Sequence, residues 1–445
     1  MSTTLKLLIA SFCIYFFGWL FVYQTKLNET LVQSEDTIPA IFLPVSIIKD
    51  HTLYLDNYYQ MMVSRYPHPD DKDQALGKTP FYLRKVDNHY LSAFPIVTPL
   101  LALPVYLFPV LFGGNLDWFT LAVLSKIAAA LIISLSGVVL YKLLLTLLDQ
   151  KKATLLACLY LFATINFASI SQALWQHGAL ELFTLLGIFY LFKAETNQKF
   201  LVFSGLFMGI AVLARPTAGL AFIILGFYVL RSFGFGGLKK YVIPLLFPIA
   251  FFFLYNSLFY QSISNQGYSS QLLDSWKTPI YKGFLGIWLS PSKGILVYSP
   301  IFIFSVLTII DRARKRSLGK DSIYNYFAAI VLLHTLVIGM WKHWYGGWSF
   351  GYRMASDVIP YLILLLVPYL KSGIFEKTKK LFYLFIVWSV AVEIFGLVFF
   401  DGVWHGTYDR GFRNQAWLWS LKDSELVFYV GRIFAKVRLL YGSKI

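Results

Sequence analysis

The stretch LSAFPIVTPLLALPVYLFPVLFGG, residues 91–114, decides how this chain is threaded. It is apolar enough to cross a bilayer, which takes about 20 residues. It also carries Pro95, Pro99, Pro104 and Pro109, and a proline inside a helix costs about 3 kcal/mol in a lost hydrogen bond and a clash. Topology adds a second objection. If the N-terminus lies inside, residues 25–90 lie outside, and the next long apolar run, 117–148, must return from outside to inside. Counting 91–114 as a span breaks that parity. The reading is therefore an interfacial or re-entrant segment on the outer leaflet, and the apolar run 37–48, too short to cross, is read the same way.

The parity argument rests on the rest of the chain. Of its 445 residues 57% are hydrophobic, 18% aromatic and only 14% charged, with a mean hydropathy of +0.61. Soluble domains carry about 25% charged residues, so this composition belongs in a bilayer. Expected spans are 6–24, 117–148, 153–171, 178–193, 200–215, 217–231, 241–260, 295–310, 323–341, 357–371 and 381–400. The fold class is thus an all-α polytopic membrane protein of about eleven transmembrane helices. The N-terminal apolar run is too long for a signal-peptide core and no small-residue cleavage site follows, so it is read as a retained helix. The net charge of +16 gathers in short connectors, RSFGFGGLKK, DRARKRSLGK and KSGIFEKTKK, which the positive-inside rule puts in the cytoplasm. No basic stripe with interleaved aromatics, Gly-rich phosphate loop or RNA-binding pattern is present, so nucleic acid is excluded as a partner. Cys13 and Cys158 both lie in apolar runs and form no disulfide framework or metal cluster; no HExxH or close histidine cluster suggests a metal.

Sidedness then collects the polar groups on the outer face. SEDTIPAIFLPVSIIKD, 34–50, holds Glu35 and Asp36 between a helix end and an apolar run. A carboxylate there marks where a helix stops, or is partly desolvated and serves as a general base. Further along the first outer loop come Asp56, Arg65, His68, Asp70, Asp71, Asp73, Arg84, Lys85 and His89, most of them in a hydrophilic stretch typical of a solvated loop. SISQALWQHGALELF, 169–183, sets His177 four residues before Glu181, on one helix face. ARPTAGL, 214–220, puts Arg215 beside a proline, as a snorkelling arginine or an anion clamp. WLSPSKGILVYSP, 288–300, offers Lys293, and WKHWYGGWSFGYRMASD, 341–357, packs Lys342, His343, Arg353 and Asp357 among Trp348, Tyr352 and other aromatics. Aromatic faces suit sugar rings, and arginine forks onto phosphate oxygens. Within the spans stand Lys126, Glu393 and His334; a Lys126–Glu393 pair is one arrangement open to them. Asn28 begins an N-E-T sequon.

This layout resembles the GT-C superfamily of multispanning glycosyltransferases. It looks most like the polyprenyl-phosphate-sugar-dependent branch that includes protein O-mannosyltransferases and lipid A aminoarabinose transferases, and like bacterial members termed family 39-like. The resemblance rests on Glu35-Asp36 after the first span, the proline-rich 91–114 segment where that family has a juxtamembrane helix, and QALWQHG, ARPTAG, SPSKGILVYSP and YGGWSFGYRMASD. It covers nearly the whole chain. One departure matters: many relatives read Asp-Glu where this chain reads Glu35-Asp36-Thr37, leaving the second carboxylate to Glu35 or Asp56.

The resemblance implies a GT-C-type bundle with a catalytic module at 1–260 and further helices at 261–445. It also implies a multi-pass inner (plasma) membrane location with a cytoplasmic N-terminus and the active site on the outer, periplasmic side. It implies metal-independent, inverting transfer of a sugar from a polyprenyl-phosphate donor to a glycan, lipid or protein acceptor, without a cofactor. Asp36 is then the base, with Glu35 in reserve. Arg353 and Lys293, then Arg215 and His177, steady the lipid phosphate; Tyr352, Trp348 and Asp56 complete the expected site. Two rivals remain. A transporter would show paired repeats and broken helices in matching halves, and this chain is asymmetric. A lipid-linked polysaccharide polymerase or ligase would usually carry its main loop late in the chain. A lipid-binding scaffold leaves the sided polar clusters without a role.

Overall fold

The computed structural model describes residues 2–66, 79–263, 275–315, 322–411 and 414–442. His68, Asp70, Asp71 and Asp73 fall outside the described residues. Among the described residues the architecture is helical apart from one hairpin. The first helix, α1 (Thr3–Gln24), is followed by the shorter elements α2 (Ile38–Val45), α3 (Tyr59–Arg65), β1 (Leu83–Val86), β2 (His89–Ser92) and α4 (Val97–Phe112). Next come α5 (Trp118–Leu144), α6 (Gln150–Phe162), α7 (Gln176–Lys193), α8 (Phe200–Ala214), α9 (Ala218–Val242) and α10 (Leu246–Phe259). The remainder is α11 (Ile280–Leu289), α12 (Ile295–Tyr298), α13 (Ile303–Lys315), α14 (Ile323–Gly339), α15 (Ile359–Lys371), α16 (Gly373–Phe399), α17 (Val403–Tyr408) and α18 (Glu425–Gly442).

Among the described residues five helical stretches are long and apolar enough to cross a membrane: Thr3–Gln24, Trp118–Leu144, Ala218–Phe259, Arg353–Lys371 and Gly373–Phe399. That is fewer than the eleven spans expected, for visible reasons. Val97–Phe112, Phe200–Ala214, Ile280–Leu289 and Ile323–Gly339 are apolar but shorter, and the run 295–310 is broken where Pro300 starts a tight turn between α12 and α13. Ala218–Phe259 is not straight either. At Gly234 the backbone takes φ +66°, open to glycine without a Cβ penalty, and the chain doubles back. Tyr241 stacks on Phe222 at 4.7 Å and donates to the Phe222 carbonyl, contacts that a straight helix 19 residues apart could not make. The turn falls in the basic connector that was read as a loop.

The segment between α1 and α5 builds its own apolar layer. Ile38, Phe42, Leu55, Met62, Tyr82, Ala102 and Tyr106 are buried in one cluster that continues onto Trp118 and Leu121 of α5. This corrects the interfacial reading of 37–48. Ile38, Pro39 and all of Ile41–Val45 are buried, so the apolar run is covered by protein rather than laid on lipid. Hydrophobicity reports only that a segment avoids water. In α4 the N-terminal half is buried, while Leu107, Phe108, Leu111 and Phe112 are exposed. The main core is continuous from Leu7 to Tyr429 and crosses the boundary expected near residue 260. The β1–β2 hairpin, absent from the sequence reading, closes on Asp87-Asn88, with Val86 opposite His89 and Asp87 at φ +51°.

The chain between α6 and α7, residues 163–175, is irregular yet buried. Backbone groups in such a place must find partners, and distant side chains supply them. Gln33 donates to the Ala168 carbonyl at 2.7 Å, Glu393 accepts from the Ala168 amide at 3.2 Å, and the Tyr352 hydroxyl accepts from Ile165 N at 3.2 Å. Lys126 donates to the Gln172 carbonyl at 3.0 Å and lies 4.8 Å over the Trp19 ring. Lys126 and Glu393 therefore serve the same loop from two sides, and the pair between them is not formed. Asn28 Nδ2 donates to the Phe400 carbonyl at 2.6 Å, which ties up the sequon side chain.

Candidate functional site

The N-terminal ends of α2, α7 and α15 converge on a polar cluster. Ser34 to Thr37 forms a tight turn, held by Thr37 Oγ1 donating to the Ser34 carbonyl at 2.8 Å, and this turn presents Asp36. Arg353 reaches it from the turn Arg353–Val358 that opens α15, with Nη1 donating to Asp36 Oδ2 at 3.0 Å. Arg353 also donates from Nη2 to the Gly346 carbonyl at 2.5 Å, and its guanidinium lies 4.1 Å over the Trp175 ring. Carboxylate, carbonyl and aromatic face thus fix the fork in one orientation. The Asp36 side chain keeps 26% of its surface exposed, so the pair is open to a ligand.

Glu35 turns the other way. It lies near Tyr66 and Tyr82, whose hydroxyl pKa values are pushed up by burial and then by the Glu35 charge. The adjacent carboxylates thus have different neighbours, and Asp36 is the one that meets Arg353. Asp56 is occupied in the hairpin: Oδ2 meets His89 Nδ1 at 2.6 Å and Oδ1 accepts from Tyr90 N at 2.7 Å.

Behind Trp175, at a ring distance of 6.5 Å, stands His177. Its Nδ1 lies 2.7 Å from Asp357 Oδ1, and Arg215 Nη1 approaches His177 Nε2 at 2.8 Å and Asp357 Oδ1 at 3.1 Å. Thr217 donates to Asp357 Oδ2 at 3.1 Å, and His334 Nε2 stands 3.4 Å from the same oxygen. Asp357 is the hub of this group and balances Arg215. His177 and Arg215 were read as separate phosphate ligands; the structure brings them together around a carboxylate that spacing alone did not single out.

Beside this hub opens an apolar cleft of about 280 Å³, lined by Phe94, Val212, Leu213, Pro216, Phe252 and Tyr255, among others. Pro216, one of the residues lining the cleft, follows Arg215 directly in the turn between α8 and α9.

Lys293 belongs to a second cluster. It is 1% exposed, donates to the Ser349 carbonyl at 2.5 Å, and lies 3.3 Å from both Glu425 oxygens and 3.2 Å from His405 Nε2. Burial lowers its pKa to about 8, with Glu425 holding it up and Arg353 adding to the fall. Glu425 is pushed up by burial and pulled down by Lys293, while burial and then the Lys293 charge keep the His405 pKa well below its usual value. Glu425 Oε2 also accepts from Tyr298 Oη at 2.6 Å and from Gly351 N at 3.0 Å. The first residue of α18 thereby anchors the loop that carries Arg353.

The remaining expected residues lie elsewhere. Tyr352 is 2% exposed, with its hydroxyl bonded to Ile165 N and, at 2.8 Å, to Ser299 Oγ. Trp348 is 52% exposed at the rim, donating to Asp409 at 3.2 Å. Among the described residues no group of three or more His, Cys, Asp or Glu side chains could hold a metal ion. Comparison of the chain with protein-family models, curated proteins and solved structures finds no match in any of the three.

Proposed function

We propose that this protein is a membrane glycosyltransferase that moves a sugar from a polyprenyl-phosphate donor to an acceptor at the outer face. The observation that carries the reading is the Asp36–Arg353 pair, a quarter-exposed carboxylate held by an oriented arginine, together with an apolar cleft lined by Pro216, the residue that follows Arg215. A lipid-borne sugar needs those features in that order: an apolar path for the chain, cations for the phosphate, and a base for the acceptor.

Arg353 holds Asp36 through a hydrogen bond at 3.0 Å. A donor phosphate competes for the guanidinium, because arginine binds phosphate oxygens in the same bidentate fashion as carboxylates. Asp36 is then released to take the acceptor's proton as the acceptor oxygen or nitrogen attacks the anomeric carbon. The bond from that carbon to the phosphate oxygen breaks with inversion, and the electron pair leaves on the lipid monophosphate, whose charge Arg353 and Arg215 stabilise. Lys293 acts at one remove, by holding the Ser349 carbonyl of the loop that aims Arg353.

The test is transfer of radiolabel from candidate polyprenyl-phosphate sugars in membranes containing the protein. Asp36→Asn abolishes transfer while the protein remains inserted and folded. Wild-type transfer by that variant overturns the assignment.

A further inference from the structure

Between α6 and α7 the chain leaves the α-helix over residues 163–175 and stays buried throughout. Distant side chains satisfy much of its backbone, yet four side-chain oxygens at this break are enclosed without a hydrogen-bond partner. Two belong to the segment itself, Asn166 Oδ1 and Ser169 Oγ, and two to the carboxylates that hold it, Glu181 Oε1 and Glu393 Oε1. Buried polar groups are rarely left unpaired, and a group of them around one short stretch calls for a physical cause.

Glu181 and Asn166 are the closest couple among these, and both are 0% exposed. Glu181 Oε2 accepts from Tyr160 Oη at 2.7 Å and from Asn166 Nδ2 at 3.0 Å. Those bonds occupy one carboxylate oxygen and the amide nitrogen. What they leave over, Oε1 and Oδ1, are acceptors both, so neither answers the other while Glu181 is ionised. No lysine, arginine or histidine forms an ion pair with Glu181 among the described residues.

The charges around the break do not balance either. Glu393 accepts from the Ala168 amide, and Lys126 donates to the Gln172 carbonyl, so two carboxylates and one ammonium serve the same segment. A buried charge without its counterpart is strongly unfavourable. Carboxylate and amide oxygens are hard donors that suit alkali and alkaline-earth ions rather than transition metals. Unwound backbone buried between two helices is where membrane proteins hold sodium, and a deficit of one charge calls for a monovalent ion.

We infer that the break between α6 and α7 binds a monovalent cation of the sodium class, with Glu181 Oε1 and Asn166 Oδ1 among its ligands. The site uses neither Asp36 nor Arg353 and stands whether or not the protein transfers a sugar.

The experiment uses the full chain in detergent, at constant ionic strength made up with choline chloride. Binding of radioactive sodium is read by scintillation proximity, and the melting temperature is followed over a sodium chloride titration. Wild type binds sodium saturably and melts higher as sodium rises. Glu181→Gln abolishes saturable binding and melts at a temperature independent of sodium. Asn166→Leu, which removes one neutral oxygen ligand, weakens binding about tenfold. Glu393→Gln takes away a neighbouring charge but no assigned ligand, so it weakens binding without abolishing it. Where Glu181→Gln does not fold, the wild-type titration and Asn166→Leu decide. Absence of saturable sodium binding by wild type, undiminished binding by Glu181→Gln or Asn166→Leu, or complete loss in Glu393→Gln overturns the inference. Displacement of sodium by calcium at far lower concentration than by sodium itself overturns it in favour of a divalent ion. A carboxylic-acid infrared band that vanishes in Glu181→Gln and does not respond to sodium overturns it in favour of a proton.

Discussion

Arg353 Nη1 and Asp36 Oδ2 meet at 3.0 Å although 317 residues separate them in the chain. Arg353 makes two other contacts that a lysine could not reproduce at once, with the Gly346 carbonyl and the Trp175 face. Arg353→Lys keeps the charge and loses the fork and the stacking, so we expect transfer to fall about 10- to 100-fold, a loss of roughly 1.4–2.8 kcal/mol in transition-state stabilisation. Initial rates with a polyprenyl-phosphate sugar in reconstituted vesicles measure this. A double-mutant cycle on thermal stability with Asp36→Asn should give a coupling of about 1 kcal/mol or less, because the carboxylate is partly solvated. A rate near wild type for Arg353→Lys would show that charge alone suffices.

The Lys293–Glu425 pair is a different case because both side chains are enclosed, at 1% and 0% exposure. Removing one partner leaves a buried charge without its counterpart, which costs about 3–5 kcal/mol. Glu425→Ala should therefore lower the melting temperature in detergent markedly. Glu425→Gln, which keeps hydrogen-bonding groups near Tyr298 and Gly351, should lower it less. The double variant K293M/E425Q should recover much of the loss, since no uncompensated charge remains. If Glu425→Ala melts with the wild type, α18 does not anchor the Arg353 loop in the way the contacts imply.

The contacts of Asp36 with Arg353 and of Arg215 with His177 join residues that the sequence assigns to one face from the lysines and arginines of short connectors, a signal carried by composition. What hydropathy could not tell was whether an apolar run is covered by lipid or by protein. Ile38–Val45 reads the same in either setting, and the structure buries it under the outer loop. Helix breaks inside apolar runs were equally hidden. Residues 163–175 remain irregular only because Gln33, Lys126, Tyr352 and Glu393, all remote in sequence, satisfy their backbone. Asp357 was visible only as one polar residue in a dense cluster, and nothing in spacing links Lys293 to Glu425 across 132 residues.

Close backbone approach between α11 and α14 gives a prediction about packing. A Cβ added at Gly283 would stand 1.8 Å from the Gly339 carbonyl oxygen, and rigid backbone cannot yield as a side-chain tip would. Gly283→Ala should therefore separate the two helices and destabilise the protein by about 1–3 kcal/mol. Gly431→Ala, where nothing lies within 4 Å of the added Cβ, is the control and should be neutral or slightly stabilising. Thermal unfolding of the two variants in the same detergent compares them. Equal stability would mean that the α11–α14 contact is slack.

His343 supplies the pH dependence. It lies on the loop between α14 and the Arg353 turn, and its pKa falls from 6.5 to about 4 because burial, then the Lys342 and Arg353 charges, disfavour the imidazolium. The folded value lies below the unfolded one, so between pH 6.5 and 4 the unfolded chain binds more protons and acid favours unfolding. The stability associated with the neutral ring is whole above pH 6.5 and is lost as the pH falls towards 4. His343→Gln removes the titration but keeps a polar side chain of similar reach. Wild type should therefore lose up to about 3 kcal/mol relative to His343→Gln between pH 6.5 and 4. Melting curves at half-unit pH steps provide the comparison. A difference between the two proteins that stays constant across this window would mean that His343 is not held neutral by its surroundings.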